Sequence, residues 1–458
     1  MEEKKATTEK KFTDRELIYQ LDGFPSLKVA LPLGLQHVLA MFTGNLVPVF
    51  VLAGVLGLDD PSKIIMVQCA MFVSGLTTLF QVYPIGFKKS FLPRIGAGLP
   101  IVMGTSFAFV PTAKTVGAQY GLPGVLGGVL LGGLVEVVMA VFLKPLKRFF
   151  PPLVVGSVLI AIGVNLLTVG VNYFAGGVGS KDYGSPSNLL IGFSVFMVVM
   201  LLQRFGKGMW NASSLLIGVL AGYALSIALG KISFGIVGSA PWFSIPIPMR
   251  FGYEFHLDAV LAFASIYIVS GLETIGNTSG ITVAAFDREA TAEETSGAIM
   301  ADAAGSMIAS VFNTLPNTAF GQNAGIVAMT GVVNRWCIAV GAFVLIGAGL
   351  FPKIGAIFSV MPNSVLGGAV ITVFAMIMIN GIKLIGKAGF SHRNILVLAV
   401  TFGIGMGFGS TPAATVQMPA ILRMIFHDSV SAVCIISIIA NIVFPVDKDQ
   451  VAVEMEVD

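Results

Sequence analysis

Charged residues are scarce in this sequence. Only 11% of its 458 residues are Asp, Glu, Lys or Arg, whereas a soluble globular protein carries about 25%. A chain with so few charges cannot cover its own surface with solvated groups, and its mean hydropathy of +0.88 agrees with this. The composition therefore excludes an ordinary soluble protein and predicts a chain that lies mostly in lipid.

Cysteine is also rare, and chemical motifs built on it are missing. Cys69, Cys337 and Cys434 lie in apolar stretches without the spacing of a disulfide framework or a metal site, so we interpret them as small buried hydrophobic residues. The sequence offers no metal-ligand cluster and no nucleophile with its base, which predicts neither a metal nor an enzymatic activity. The net charge of +3 is too small and too dispersed to indicate a nucleic-acid partner.

The sequence contains long runs of residues without charge. Residues 149–180 and 303–334 contain no charge, and a helix needs about 20 apolar residues to cross a bilayer. At about 30 residues for each span with its connection, the chain predicts about 14 spans. Residues 1–26 are polar and of mixed charge, and the predicted inside connections hold more basic residues than the outside ones. Both termini are therefore expected in the cytosol.

The pattern also indicates a duplication. Residues 150–156 resemble residues 361–367 in their Pro, Val and Gly positions, and a Leu-Pro pair at Leu99 recurs at Leu315. Seven spans in each half is an odd number, so the second copy enters the membrane from the opposite side. The expected fold is an all-α polytopic membrane protein with 14 transmembrane segments in a 7+7 inverted repeat.

The third span of each half is unusual. Residues 98–113 and 322–334 are short and adjoin Leu-Pro segments rich in Thr, Ser and Asn. Broken helices at membrane depth are tolerated where they line a cavity, and in inverted halves they indicate a midplane binding site. Their N-termini would direct backbone N–H groups at a ligand. The alternative, two short helices that cover the ends of the bundle, stays open.

Three carboxylates fall within the predicted spans. Each costs about 2.5 to 3.5 kcal/mol at the centre of a helix, so each is a candidate functional group. Glu273 lies four residues before Asn277, on one helical face, and either meets a polar ligand or makes a structural hydrogen bond. Asp302 has no cationic neighbour in its span, so it either holds a proton or ties helix ends together. We interpret Glu136, which lies among small residues, as structural.

The strongest local motif lies in the tenth span. Phe320 is followed by Gly321, Gln322 and Asn323, which supply a stacking face, a close backbone approach and two amides. These groups suit a flat heterocycle with alternating carbonyl and N–H groups. The segment 104–109 of the third span adds a second aromatic ring and hydroxyl groups.

At these residues the sequence resembles the nucleobase/ascorbate transporter family. The family signature is Gln or Glu, then Asn-x-Gly, four residues, Thr, and a basic residue or Gly, and residues 322–331 match it. The pair Gln36-His37, the segment 104–107 and Glu273 also match, in the family's order. The resemblance covers nearly all of residues 27–445.

This resemblance implies a mobile core that carries the substrate and a gate that forms a homodimer, with an elevator-type movement driven by proton symport across a cell inner membrane. Apart from protons, no cofactor is implied. The implied domains are a cytosolic tail over 1–26, the core over 27–145 and 258–360, the gate over 146–257 and 361–445, and a cytosolic tail over 446–458.

The resemblance also implies roles for single residues. Glu273 would accept from ring N–H groups, Gln322 would make a second bidentate contact, and Phe107 would stack near the ring, with the backbone N–H groups of Phe107 and Gly321 meeting carbonyls. Asp302, together with Glu273, would couple transport to protons. The other residues expected in the substrate site are Ser106, His37, Asn277 and Asn323. His37 on its own is either a ligand contact or a satisfied core histidine.

The substrate class follows from single positions of the resemblance. Family members for xanthine and uric acid tend to have Gln at the position of Gln322, whereas uracil members have Glu. Ser106 replaces an Asn common in the xanthine type and leaves room for an 8-oxo group, while Asn277 departs from the acid or His of relatives. We expect an importer of xanthine, uric acid or both. The alternatives are a uracil or other nucleobase permease and an inorganic-anion transporter of the same fold.

Overall fold

The computed structural model describes residues 13–86, 92–143 and 150–444, and nearly all of its regular structure is helical. The longer helices are α1 (Leu27–Val55), α2 (Asp60–Val82), α3 (Val110–Val141), α4 (Pro152–Phe174), α5 (Pro186–Phe205), α6 (Ser214–Ala228), α7 (Leu257–Phe286), α8 (Ala292–Val311), α9 (Gln322–Thr330), α10 (Arg335–Gly349), α11 (Pro352–Ser359), α12 (Asn363–Ala388), α13 (His392–Val400), α14 (Ala420–His427) and α15 (Ser429–Val443). Short helical turns lie at Asp14–Leu17, Met209–Ala212, Gly235–Ser239 and Gly407–Ser410, a π-helical turn at Thr401–Met406 and a 3-10 turn at Pro412–Thr415. Two strands, β1 (Met103–Thr105) and β2 (Asn317–Ala319), complete the described elements.

Many of these helices are membrane spans by length and composition. In the described part of the chain, 8 helices are long and apolar enough to cross a bilayer, or 9 if α10 and α11, which meet at a bend of 77°, form one span. The side chains of Leu190 and Phe193 on α5 are 53% and 56% exposed, as expected of a helix that faces lipid. The prediction of a polytopic helical membrane protein is confirmed.

The third predicted span differs from the sequence prediction. A helix over 98–113 is wrong for residues 98–109, because Met103–Thr105 is a strand and α3 begins only at Val110. The strand β1 pairs antiparallel with β2, with Met103 opposite Ala319 and Thr105 opposite Asn317. This pairing satisfies backbone groups that no helix satisfies at this depth. The helix α3 then continues through Gly121, whose backbone is not helical (φ 65°), into the predicted fourth span.

The tenth span repeats this arrangement. After β2, the chain passes through Phe320 and Gly321 into α9, which ends at Gly331 in the left-handed conformation (φ 69°). The prediction of a short helix over 322–334 is therefore correct in position and a few residues too long. Both broken segments consist of a buried strand followed by a helix.

The helices pack in a reciprocal pattern. In the first half of the chain α3 packs against α7 and α8, while in the second half α10 packs against α1 and α2. The helix α4 packs along α12, where a Cβ on Gly156 would lie 2.7 Å from the Gly381 carbonyl oxygen and a Cβ on Gly381 would lie 2.6 Å from the Gly156 oxygen. Only glycine permits this approach of two backbones.

The segment before α1 is attached to the second half. The Asn334 side-chain amide donates to the backbone oxygens of Leu17, Gln20 and Gly23, and Arg335 forms an ion pair with Asp22. Of the predicted tails, residues 1–12 and the whole of 446–458 lie outside the described residues. The boundaries of the core and the gate stay predictions.

Candidate substrate-binding site

A cavity opens where β1 and β2 meet. The space enclosed by its lining, which is continuous with open solvent, is about 490 Å³. The first half of the chain contributes Thr105, Ser106, Phe107, Ala108, Leu159 and Ile162, and the second half contributes Glu273, Thr318, Ala319, Phe320, Gly321, Gln322, Val373 and Ile377. Both broken segments therefore line one cavity, as the sequence predicts.

Two side chains present polar groups to this cavity. Glu273 projects from α7 and is half-buried, and Gln322 is the first residue of α9 and is exposed to the cavity. Within the described chain, the backbone N–H groups of Phe107 and Gly321 donate no hydrogen bond. The cavity thus combines a carboxylate that accepts, an amide that both donates and accepts, and two free backbone donors.

Aromatic rings form one wall of the cavity. Phe107 is half-buried and contacts Phe374 edge-on, with ring centroids 5.5 Å apart at an interplanar angle of 78°. Phe320 is 5% exposed, and a Cβ on Gly104 would lie 2.5 Å from its ring. Glycine at 104 therefore lets the Phe320 ring pack directly against β1. A planar ligand could stack in this space.

The opposite wall is apolar and could not be found from the sequence. It consists of Leu159 and Ile162 on α4 and Val373 and Ile377 on α12. Spacings of three and four residues place each pair on one helical face, but every lipid-embedded helix shows such pairs. Thr105 supplies one of the hydroxyl groups expected of the segment 104–109, whereas Thr318, just before the motif that starts at Phe320, was not singled out as a lining residue.

Three predicted site residues lie behind the wall of the cavity. The Asn323 amide nitrogen and His37 Nδ1 are 2.9 Å apart, and both residues are buried. The Asn277 amide donates to the Ala319 carbonyl oxygen over 2.7 Å, and a Cβ on Gly321 would lie 2.6 Å from Asn277 Oδ1. These contacts fix β2 and the start of α9 against α1 and α7. The direct contact of these three residues with a substrate stays a prediction.

Asp302 lies one layer deeper, on α8, and is fully buried. Its Oδ2 accepts hydrogen bonds from the hydroxyls of Ser270, over 3.3 Å, and Thr274. The hydroxyl of Thr318, on β2, is 3.5 Å from the same oxygen. Thr274 is the neighbour of Glu273 in the sequence, and Thr318 lines the cavity. Asp302 is therefore joined by hydroxyls to two elements that form the site.

Among the residues that the structure describes, no cationic side chain lines the cavity. Within the described ranges, no group of three or more His, Cys, Asp or Glu residues is arranged to hold a metal ion. The polar chemistry of the site consists of hydrogen bonds.

The comparisons with known proteins concern nearly the whole chain. A protein-family model named Xan_ur_permease and described as a permease family matches residues 28–414. A xanthine permease of Bacillus subtilis (strain 168) is 34% identical over 93% of this chain and 96% of its own length. The uric acid permease PucK of the same strain is 34% identical over 83% of this chain and 87% of its own length.

Among solved structures, the transmembrane domain of the cyanobacterial bicarbonate transporter BicA is similar to this chain with a TM-score of 0.55. The two share 14% sequence identity, and the match covers 92% of this chain and 98% of that domain. At this identity the likeness concerns the fold alone, and it shows that the fold is one used by membrane transporters.

Proposed function

This chain belongs to the Xan_ur_permease family, the nucleobase/ascorbate transporter family that its motifs indicate, and we propose that it imports oxidised purines by proton symport. The substrate is xanthine, uric acid or both, since relatives named for each are equally similar to it at 34% identity. The purine crosses the membrane unchanged, without an enzymatic step.

One observation carries the choice of substrate: Glu273 and Gln322 face the same cavity beside the free N–H groups of Phe107 and Gly321. An oxidised purine is a flat ring system whose edges alternate ring N–H groups with carbonyl oxygens. Glu273 accepts from the N–H groups, Gln322 pairs with one of each kind, and the backbone donors meet the carbonyls. Phe107 supplies a stacking surface.

The transport cycle that we propose moves a core past a gate. The core comprises residues 27–145 and 258–360, and the gate 146–257 and 361–445. The break at Gly121, the bend between α10 and α11 and the reciprocal packing support 14 spans in two inverted halves. The cavity lies between polar residues of the core and apolar residues of the gate, where sliding would expose it to either side. We place the dimer contact in the gate and both termini in the cytosol, in the inner membrane of a bacterium.

An inorganic anion is the competing substrate, because one solved structure of similar fold is a bicarbonate transporter. Its recognition would call for cationic groups, yet the described lining of the cavity contains Glu273 and no Lys or Arg. A uracil permease is the second competitor, and Gln322 in place of Glu disfavours it by resemblance.

Uptake of labelled compounds into cells that lack their own purine and anion carriers tests the proposal. We expect saturable uptake of xanthine or uric acid, with each inhibiting the other, and no uptake of sulfate or bicarbonate. Uptake of uracil alone, or of an inorganic anion, would contradict the assignment.

A further inference from the structure

Glu136 is a buried acid that has no role in the transport cycle proposed above. It lies near the C-terminal end of α3 with 0% exposure, and neither of its carboxyl oxygens receives a hydrogen bond from a donor group of the described residues. Its carboxyl group and that of Asp302 on α8 meet at the same turn of α7, where they interact directly: one Glu136 carboxyl oxygen lies 3.5 Å from the Cβ position of Gly271, and the hydroxyl of the adjacent Ser270 donates to Asp302 over 3.3 Å. Oδ1 of Asp302 is likewise buried and without a donor. The two acids therefore face each other with three oxygens that nothing else satisfies.

No positively charged group of the described residues acts on either acid. Tyr267 of α7 is adjacent, but its hydroxyl donates to the Val129 carbonyl oxygen over 3.1 Å. Glu273 is a further negative charge near Asp302, and no ion pair among the described residues involves any of these three acids. The remaining polar neighbours are hydroxyl groups directed at Oδ2 of Asp302, those of Ser270, Thr274 and Thr318.

Two ionised carboxylates cannot remain in contact in such a place. Ionised carboxylates only accept hydrogen bonds, so the pair would leave its oxygens unsatisfied and would add charge repulsion in a medium of low polarity. One proton shared between the two groups removes both problems, because the protonated acid donates to the other. The pair then titrates as a unit.

We propose that Glu136 and Asp302 together form the site that binds the transported proton, with Glu136 as an obligatory member. This inference rests on the proposed proton symport and assigns its proton to Glu136 and Asp302 rather than to Asp302 and Glu273. One proton enters the pair from the outside and leaves it to the cytosol in each cycle. Thr274, beside Glu273, and Thr318, in the cavity wall, join the pair to the purine site. Protonation of the pair and purine binding can therefore favour one another.

The test measures protons and purine in the same vesicles. Purified protein in liposomes that contain a pH-sensitive dye receives labelled xanthine without an imposed pH gradient, with the membrane potential clamped. The wild-type protein should acidify the interior in proportion to xanthine entry. Glu136→Gln and Asp302→Asn should each lower the ratio of protons to xanthine by about tenfold or more. Glu136→Asp should keep the ratio, and Glu289→Gln, an exposed acid on the connection between α7 and α8, serves as the matched control.

The ratio separates a proton-binding role from a merely structural one, because a damaged fold lowers proton entry and xanthine entry together. An unchanged ratio in Glu136→Gln, with the ratio lowered in Asp302→Asn, would overturn the inference and leave proton symport intact. Xanthine entry without acidification by the wild-type protein would instead refute the symport. If Glu136→Gln does not reach the membrane, the pH dependence of xanthine accumulation by Glu136→Asp tests the inference instead. We expect this pH dependence to differ from that of the wild-type protein, and an unchanged pH dependence would overturn the inference.

Discussion

Glu273, Gln322 and the N–H groups of Phe107 and Gly321 give the cavity its chemical specificity. Polar groups that are enclosed without partners cost about 1 to 3 kcal/mol each, so a ligand that pairs all of them binds far better than one that leaves some unpaired. The alternation of donors and acceptors, more than the size of the cavity, should therefore decide which base is transported.

The first prediction concerns Gly321, where a Cβ would lie 2.6 Å from Asn277 Oδ1. Gly321→Ala should push α9 away from α7, displace Gln322 and lower xanthine uptake by about tenfold, as expected for roughly one misplaced hydrogen bond. Gly325→Ala is the matched control, because a Cβ there meets nothing within 4 Å. Uptake kinetics at equal membrane abundance measure the effect, and equal loss in both variants would contradict it.

At the scale of elements, the sequence predicted where two spans are broken, but not that strands form at the breaks. The Leu-Pro pairs at 99 and 315 mark interruptions because proline cannot continue a helix. The strands Met103–Thr105 and Asn317–Ala319 could not be predicted, since three residues form a strand only with a partner, and that partner lies in the other half of the chain. The buried pairing replaces the helical hydrogen bonds that the break removes.

The residues of the candidate site likewise fall into those that the sequence indicates and those that it does not. Glu273 and Gln322 could be identified because polar groups stand out in an apolar chain. Leu159, Ile162, Val373 and Ile377 carry no such contrast, so their role depends on a packing of α4 against α12 that no local pattern encodes. Glu136 was interpreted as structural because Asp302, with which we propose that it shares a proton, lies on a different helix.

The hydrogen bonds at the start of α8 predict how the stability of the folded protein depends on pH. Thr291 and Glu294 form a capping box there, and the Arg288 guanidinium, with further hydrogen bonds from Thr291, lowers the pKa of Glu294 to about 2. A lowered pKa means that this carboxylate stabilises the folded protein above its ordinary pKa of 4.5 and that the contribution fades as the pH falls from there towards 2.

Glu294→Gln should therefore lower the stability of the purified protein by about 1 kcal/mol at pH 7, a usual value for a helix cap. The difference from wild type should shrink as the pH falls from 5 to 3. Thermal unfolding in detergent at several pH values measures it, with Glu293→Gln, which is more exposed, as the control. A difference that grows on acidification would contradict the assignment.

At the scale of the whole molecule, the proposed core and gate meet at a buried polar cluster as well as at the cavity. Asp428 caps α15 by accepting from the backbone N–H groups of Val430 and Ser431. Its Oδ2 also accepts from the hydroxyl of Thr112 on α3. The side chain of Ser431 is 3.0 Å from that of Ser265 on α7. A core that slides past the gate has to break these bonds in each cycle.

Thr112→Val removes the hydrogen bond between Thr112 and Asp428 at nearly constant side-chain volume. We expect it to change the maximal rate of xanthine uptake by severalfold, while the affinity for xanthine changes by less than threefold, because one hydrogen bond contributes about 1 kcal/mol to one end state of the cycle. Thr115→Val is the control, since the Thr115 hydroxyl donates to the Pro111 carbonyl oxygen of its own helix and, among the described residues, to no group of another helix. Identical kinetics in the two variants would argue against a sliding contact at this place.

The central claim is that Glu273 binds the purine in a proton-driven importer. The measurement that tests it most directly is the accumulation of labelled xanthine in proteoliposomes under an imposed inward proton gradient, for the wild-type protein and Glu273→Gln at equal incorporation. Accumulation above the outside concentration by the wild type, and its loss in Glu273→Gln, is the predicted result. Equal accumulation by both proteins, or none by the wild type with either xanthine or uric acid, would contradict the claim.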